Sequence, residues 1–207
     1  MCPICLSHDR HRAAWLFLTT LTDLTDGRPK RVLHFAPEPQ LALRLRNLPN
    51  LDYLSADLDS PHALLRTDIT AIDSPDAAFD ILYCSHVLEH VHDDRKAIAE
   101  IFRVLKPGGW AIIQVPLAPT ETTLEDPSIT DPGERERLFW QRDHVRLYGS
   151  DIAHRLEEVG FDVRIPTVGG FVPAREIERQ GLRADERIFR CTRLPDATEP
   201  IQSLRSE

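Results

Sequence analysis

The chain is short of several things, and each shortage excludes a class of protein. Basic residues are the minority: 25 Lys and Arg stand against 33 Asp and Glu, a net charge of −8. A general nucleic-acid binder needs a basic face, so a small-molecule partner is the milder expectation. No apolar run approaches the roughly 18 residues of a membrane-spanning helix. No basic segment precedes an apolar core at the start, so no signal peptide is expected. Cysteine occurs only at 2, 5, 84 and 191. That scatter makes no disulfide framework and points to a reducing cytoplasm. Glycine is sparse, with nine in 207 residues, and no G-x-G-x-x-G is present, which speaks against a dinucleotide enzyme. No internal repeat is found. With 42% hydrophobic residues the chain can still bury a real core, as one domain with an elaboration.

What is present centres on residues 80–116, DILYCSHVLEHVHDDRKAIAEIFRVLKPGGWAIIQVP. Ile81, Leu82, Tyr83 and Cys84 make a short apolar run led in by Phe79. Ala97, Ile98, Ile101, Phe102 and Leu105 recur at helical spacing, with Asp94, Arg95, Lys96, Glu100 and Arg103 opposite them. Residues 106–109, KPGG, are expected to stop that helix, and 110–115 supply a second apolar strand. Strand, crossover helix and strand form a βαβ unit on a parallel sheet, so the fold class is α/β.

This stretch, FDILYCSHVLEHV followed by IFRVLKPGG and a strand ending VP, resembles the second half of class I S-adenosylmethionine (SAM)-dependent methyltransferases. The likeness covers residues 31–115 and continues more loosely to about 193. It implies a Rossmann-like, doubly wound sheet of seven strands in order 3-2-1-4-5-7-6 with the last strand antiparallel. Strands are expected near residues 32, 53, 65, 81, 112, 163 and 189.

The N-terminal segment, 1–28, carries Cys2, Cys5, His8 and His11. Thiolate and imidazole both suit zinc, but only two residues separate Cys5 from His8, and no metal ligand set is assigned. In the resembled subgroup a C-P-x-C of this kind is the second half of a zinc knuckle, and no upstream pair is present. A covering helix over residues 11–24 follows, with Trp15, Leu16, Leu18, Leu21 and Leu24 on one face and residues 26–29 as its stop.

Residues 29–193 form the expected SAM-binding domain. The first strand, 31–36, leads through Pro37, Glu38 and Pro39 into a helix over 40–48. The resemblance places glycines where Ala36, Glu38 and Gln40 stand, and an acidic residue where His34 stands. Glycine serves there because backbone must approach ligand or take positive φ. Glu38 is read two ways, as an acceptor for the cofactor's ammonium group or as a solvated loop carboxylate.

The second strand, 51–57, ends in Asp57. Ligands of open α/β sheets sit at strand carboxyl ends, where such a carboxylate can accept both ribose hydroxyls. Asp59 is the weaker alternative, since Asp59-Ser60-Pro61 also starts a helix well. The resemblance gives Asp57 the same role, sets Leu58 against the adenine, and gives Asp68 and the Ile69 backbone amide to the adenine edge. It puts Cys84, Ser85 and His86 at the methionine portion. Glu89 and His90 are read as stabilising a helical turn and His92 as facing solvent.

Residues 117–147 are polar, acidic and rich in proline. Such an insertion at the carboxyl-end rim is expected to be a lid, with a helix starting at 131–134. Trp140, Arg146 and Tyr148 are its substrate-side candidates. A His followed by an aromatic ahead of the helix at 150–159 resembles the late segment of small-molecule methyltransferases, and His144 is the candidate general base. Gly169 and Gly170 are expected to break the chain, before a short helix at 174–181 and a last strand at 186–192. Residues 194–207 are expected to be a frayed tail.

The resemblance implies methyl transfer from SAM to an oxygen or nitrogen of a small molecule. Two other readings stay open: a SAM-binding protein with other chemistry or none, and a zinc-linked interaction scaffold.

Overall fold

Strand β4 (Phe79–Ser85), the apolar run on which the sequence centres, lies in the middle of a seven-stranded sheet. The computed structural model describes residues 2, 4 and 6–195 of the chain. Parallel neighbours of β4 are β1 (Lys30–Phe35) on one side and β5 (Leu105–Gln114) on the other. Strands β2 (Leu51–Asp57) and β3 (Leu65–Arg66) extend the sheet beyond β1, also parallel. Beyond β5 come β9 (Phe189–Arg193) and β8 (Phe161–Arg164), each antiparallel to its neighbour. The order is β3-β2-β1-β4-β5-β9-β8. Strands β6 (Leu124–Glu125) and β7 (Arg146–Leu147) form a separate antiparallel ribbon. Counting main-sheet strands alone, this is the expected 3-2-1-4-5-7-6.

The central strands carry apolar residues on both sides because both faces are covered. Leu33, Phe35, Leu82, Cys84, Ala111 and Ile113 point to one side, where they join Ala97, Ile98, Ile101 and Val104 of α3 (Asp94–Val104) and Ile152 and Leu156 of α5 (Ile152–Glu158). Val32, Ile81, Tyr83, Trp110 and Ile112 point to the other. There they meet α1 (Asp9–Thr20), α2 (Pro39–Arg46) and α6 (Val168–Phe171) through Ala14, Phe17, Leu41, Leu45 and Val168.

Helix α3 starts where the Asp93 carboxylate accepts from the Lys96 amide, an N-cap. It stops at Val104, before the four residues expected to stop it, and β5 begins at once with Leu105 opposite Phe79. The KPGG run lies inside β5 as an irregularity, with the register shifting between Phe79 and Ile81. Gly108 takes φ +82, and a Cβ on Gly109 would stand 2.8 Å from the Asp80 carbonyl oxygen. Only glycine fits that approach.

Three further expectations are corrected. The glycines at 169 and 170 do not break the chain but sit within the single turn α6. The last strand begins at Phe189, since Ile188 instead donates its amide to Pro166. The polar insertion contributes the β6–β7 ribbon as well as helix α4 (Pro132–Phe139), which the Asp131 carboxylate caps. The remaining helix, α7 (Ala174–Gln180), ends on Gly181 at φ 58. Among the described residues no helix is long and apolar enough to cross a membrane. Cys5 and residues 196–207 of the expected tail lie outside the described residues.

Candidate active site

The carboxyl ends of β1, β2, β3 and β4 open into a cavity of about 590 Å³. Ala36, Asp57, Leu58, Asp68, Ile69 and His86 all line it. Six of the residues expected at the cofactor are thus brought together from four separate segments. Asp57 ends β2, and its Oδ1 accepts the backbone amides of Asp59 and Ser60, both at 2.8 Å. Those two donors fix the carboxylate's orientation, while Oδ2 takes no protein partner among the described residues. Asp68 is held the same way, its Oδ1 accepting from the Thr70 amide and hydroxyl at 2.8 and 2.9 Å.

The turn after β1 keeps the conformation that glycine would serve, without glycine. Ala36 has φ +46, and its amide donates to the Ala56 carbonyl at 2.9 Å. A left-handed alanine costs roughly 1–2 kcal/mol, which places backbone strain at the cavity wall. Beneath the turn, His34 joins Nε2 to Glu38 Oε2 and Nδ1 to the Tyr53 hydroxyl, each at 3.0 Å. His11 Nε2 stands 3.9 Å from Glu38 Oε1. Burial works to raise the Glu38 pKa, but the His34 hydrogen bond and the His34 charge outweigh it and hold the carboxyl below its usual range. Glu38 is 13% exposed, so the reading of a solvated loop carboxylate is corrected. Glu38 stands four residues beyond the position where the resemblance expects an acid and pairs with the histidine at that position.

Cys84 and Ser85 are buried behind the cavity. Burial pushes the Cys84 thiol well up, which leaves it inert as a nucleophile. His86 takes φ +55, a strained backbone for a side chain of this size. Its Nδ1 lies 3.1 Å from Glu89 Oε1. A carboxylate only accepts, so Nδ1 carries the hydrogen, and in the neutral imidazole Nε2 is the acceptor.

His86 also lines a second cavity, of about 870 Å³, with Gln114, Trp140, Ser150, Arg10 and Glu186. Trp140 ends α4 in a left-handed conformation, φ 75, and is half exposed. Glu186, for which the sequence pattern carries no site signal, has its pKa raised by burial and by Asp9 nearby. It comes from the loop before the last strand, and only the fold brings it beneath β5.

Arg146 and Tyr148, expected at the substrate, line neither cavity. Both are buried. The Arg146 guanidinium donates to the carbonyls of Leu88, Val91 and His92 and to Glu125 Oε2. The Tyr148 hydroxyl donates to Asp94 Oδ2 at 2.8 Å. Their charge and ring are spent on tying the insertion to the body of the domain. His144, the expected base, is 1% exposed and also lines neither cavity. Its Nδ1 donates to the Phe139 carbonyl at 2.7 Å, and burial lowers its pKa.

A doubly wound sheet with an antiparallel end, and a carboxylate-walled cavity across the ends of its first four strands, defines the class I methyltransferase architecture. Residues 46–113 match the methyltransferase domain family. A probable S-adenosylmethionine-dependent methyltransferase of Mycolicibacterium smegmatis is 30% identical over 104 residues, 50% of this chain and 36% of the relative. The malonyl-acyl-carrier-protein O-methyltransferase of Serratia marcescens is 32% identical over 96 residues, 46% of this chain and 38% of the relative. The matched segment thus spans little more than a third of either curated relative. Burkholderia thailandensis 1,6-didemethyltoxoflavin-N1-methyltransferase, solved with 1,6-didemethyltoxoflavin and S-adenosylhomocysteine, shares the fold with TM-score 0.56 at 15% identity, over 91% of this chain and 79% of its own. The chain therefore carries a methyltransferase-domain match over residues 46–113 and shares the fold of class I SAM-dependent methyltransferases.

SAM is the cofactor of the methyltransferases to which the chain is similar, and the residues here fit its nucleoside half. Asp57 offers a fixed carboxylate at a strand end for a ribose diol, Leu58 and Ile69 offer apolar walls, and Asp68 offers a second acceptor. The left-handed Ala36 keeps backbone close to the cavity despite the missing glycine.

Proposed function

We propose that the protein transfers a methyl group from SAM to an oxygen or nitrogen of a small polar molecule held in the larger cavity. The observation that carries this reading is His86, the residue shared by both cavities. A group at the junction of a cofactor pocket and an acceptor pocket stands where the two reactants meet. When bound, SAM supplies an electrophilic sulfonium methyl, so the protein has mainly to orient, exclude water and manage a proton.

In this reading Asp57 and Asp68 hold the nucleoside, with Leu58 and the Ile69 backbone at the adenine. Ala36, Ser85, the Cys84 backbone and Glu38 beneath the turn shape the amino-acid end. Glu89 holds His86 in one tautomer, and His86 Nε2 takes the proton that an acceptor hydroxyl or amine loses. The geometry favours His86 over the buried His144 for that role. Trp140 supplies an apolar face to the acceptor, while Arg10 and Glu186 suit one that carries charge. Residues 117–147 act as the lid, anchored rather than armed by Arg146 and Tyr148. The net charge of −8 supports a small acceptor over a nucleic acid. The free thiols Cys2, Cys84 and Cys191 support a reducing, cytoplasmic setting.

The test is turnover of SAM with a panel of small hydroxy- and amino-compounds, reading S-adenosylhomocysteine and methylated product by mass. His86→Asn is expected to lower kcat about 10²–10⁴-fold while SAM affinity stays within a few-fold. SAM binding with no transfer to any member of the panel would favour a binding protein of this fold over an enzyme.

A further inference from the structure

We propose that Glu89, His90 and His144 bind one divalent transition-metal ion of the zinc type, in a site separate from the N-terminal cysteines. One ligand atom from each of the three residues lies within 4.8 Å of the other two. The sequence gives no spacing signal for it, because residues 89 and 144 meet only through the fold.

The case rests on what these side chains lack. Glu89 and His144 are each 1% exposed, yet Glu89 Oε2 and His144 Nε2 have no hydrogen-bond partner. An unsatisfied buried polar group costs roughly 1–3 kcal/mol, and more when charged. Two of them within one cluster of possible ligands are not explained by packing. A single cation would satisfy both.

The surroundings have the form of a metal site's outer shell. His144 Nδ1 donates to the Phe139 carbonyl at 2.7 Å, which leaves the Nε2 lone pair directed inward. His90 Nδ1 lies 3.2 Å from Asp143 Oδ2, a carboxylate behind an imidazole. Glu89 Oε1 accepts from His86 at 3.1 Å, which leaves Oε2 for the ion. Each ligand thus has a partner that orients it, as ligating histidines and carboxylates have. The His90 and His144 rings stand edge to face with centroids 4.7 Å apart.

Zinc bonds of about 2.0–2.2 Å to nitrogen and oxygen set tetrahedral ligands roughly 3.4 Å apart, within reach of small side-chain rotations here. Two imidazoles and one carboxylate favour zinc-like ions over magnesium or calcium, which prefer oxygen. Three protein ligands leave a coordination position outside the protein. The ion would clasp the lid, since His144 follows α4 while Glu89 lies in the turn after β4, and the Val145 amide already donates to the Glu89 carbonyl at 2.9 Å. Through Glu89 it would also fix His86. The inference does not rest on methyl transfer, because metal binding is read without substrate or SAM.

Full-length protein, stripped with chelator, is titrated with Zn²⁺ alone by calorimetry and with Co²⁺ by absorption. One equivalent is expected in this site, with a cobalt spectrum free of thiolate charge transfer. Glu89→Gln and His144→Ala should each weaken binding by more than the ~10–100-fold typical of losing an outer-shell partner, and Asp143→Asn by about that amount. Cys2→Ser combined with Cys5→Ser should retain it. Should His144→Ala fail to fold by circular dichroism, the half-exposed His90→Ala takes its place. Absence of binding, binding indifferent to Glu89→Gln, or a thiolate band that disappears with the cysteines would each overturn the proposal.

Discussion

Two largely buried polar clusters meet at the 3-10 turn Leu88–His90, and they differ in how completely their groups are paired. On one side, Arg155 donates to Asp94 at 2.9 Å and to Glu125 at 2.8 Å. There Arg146 meets Glu125 and three carbonyls, and the Tyr148 hydroxyl meets Asp94. Both guanidinium groups also lie near the Tyr148 ring. On the other side, Glu89, His90 and His144 are oriented by partners and still leave two buried atoms unpaired. A network in which every member is satisfied rigidifies a fold, whereas a buried group left unpaired calls for a functional explanation. The first cluster is therefore a strut that fixes the insertion to the sheet, and the second is a site.

The comparison can be broken most forcefully at Arg155. Arg155→Met leaves the buried Asp94 without its closest cation, and breaking such a pair costs about 3–5 kcal/mol. Urea denaturation should show a loss near the lower bound, because Tyr148 and Arg146 stay close to Asp94. A loss under ~1 kcal/mol would make the strut no more than a surface ion pair. Glu89→Gln in metal-free protein is expected to do far less, shifting stability by about 1 kcal/mol or under in either direction, because it removes a buried charge that is only half paired. If it cost as much as Arg155→Met, both clusters would be structural.

The strut also has a pH signature. Burial works to raise the Glu125 pKa, but hydrogen bonds from Arg155 and Arg146 prevail and hold it below the ordinary 4.5. A lowered native pKa gives stability that is present above the ordinary value and is lost as pH falls through the native one. The stability gap between wild type and Glu125→Gln should accordingly be full at pH 7 and close below pH 4.5. A gap that widens in acid would reverse the sign. The smallest effect is expected at Ala36. Ala36→Gly relieves left-handed strain but frees the unfolded chain, which leaves a net gain of a few tenths of a kcal/mol. A clear loss would show that the alanine methyl packs usefully in the cavity wall.

The elements that were legible in the sequence are those governed by local pattern. The apolar run at 81–84, the helical spacing from Ala97 to Phe102 and the strand-end Asp57 lie within short windows, and the fold places them as their pattern implies, while Leu105 falls in the next strand. What short windows do not carry is long-range packing. Gly169 and Gly170 were read by propensity, but the close approach of the Ala184 carbonyl, 3.1 Å from a Cβ built on Gly169, explains why glycine is needed in a helical turn there. Arg146 and Tyr148 follow the rim insertion in sequence, while their partners Leu88 and Asp94 lie more than fifty residues earlier in the chain. Glu186 and the Glu89–His144 meeting are likewise long-range. Side-chain direction, which decides whether a rim residue arms a site or braces it, is not carried by spacing.

Calorimetric titration with SAM, S-adenosylhomocysteine and NADH tests whether the nucleoside cavity binds the cofactor. Saturable binding of both sulfur nucleosides and none of NADH is predicted. Asp57→Ala should weaken SAM about 100-fold, the scale of losing charge-assisted hydrogen bonds, while Asp59→Ala, whose backbone amide alone serves Asp57, changes it only a few-fold. No SAM binding, or equal loss in the two variants, would contradict the assignment of the cavity.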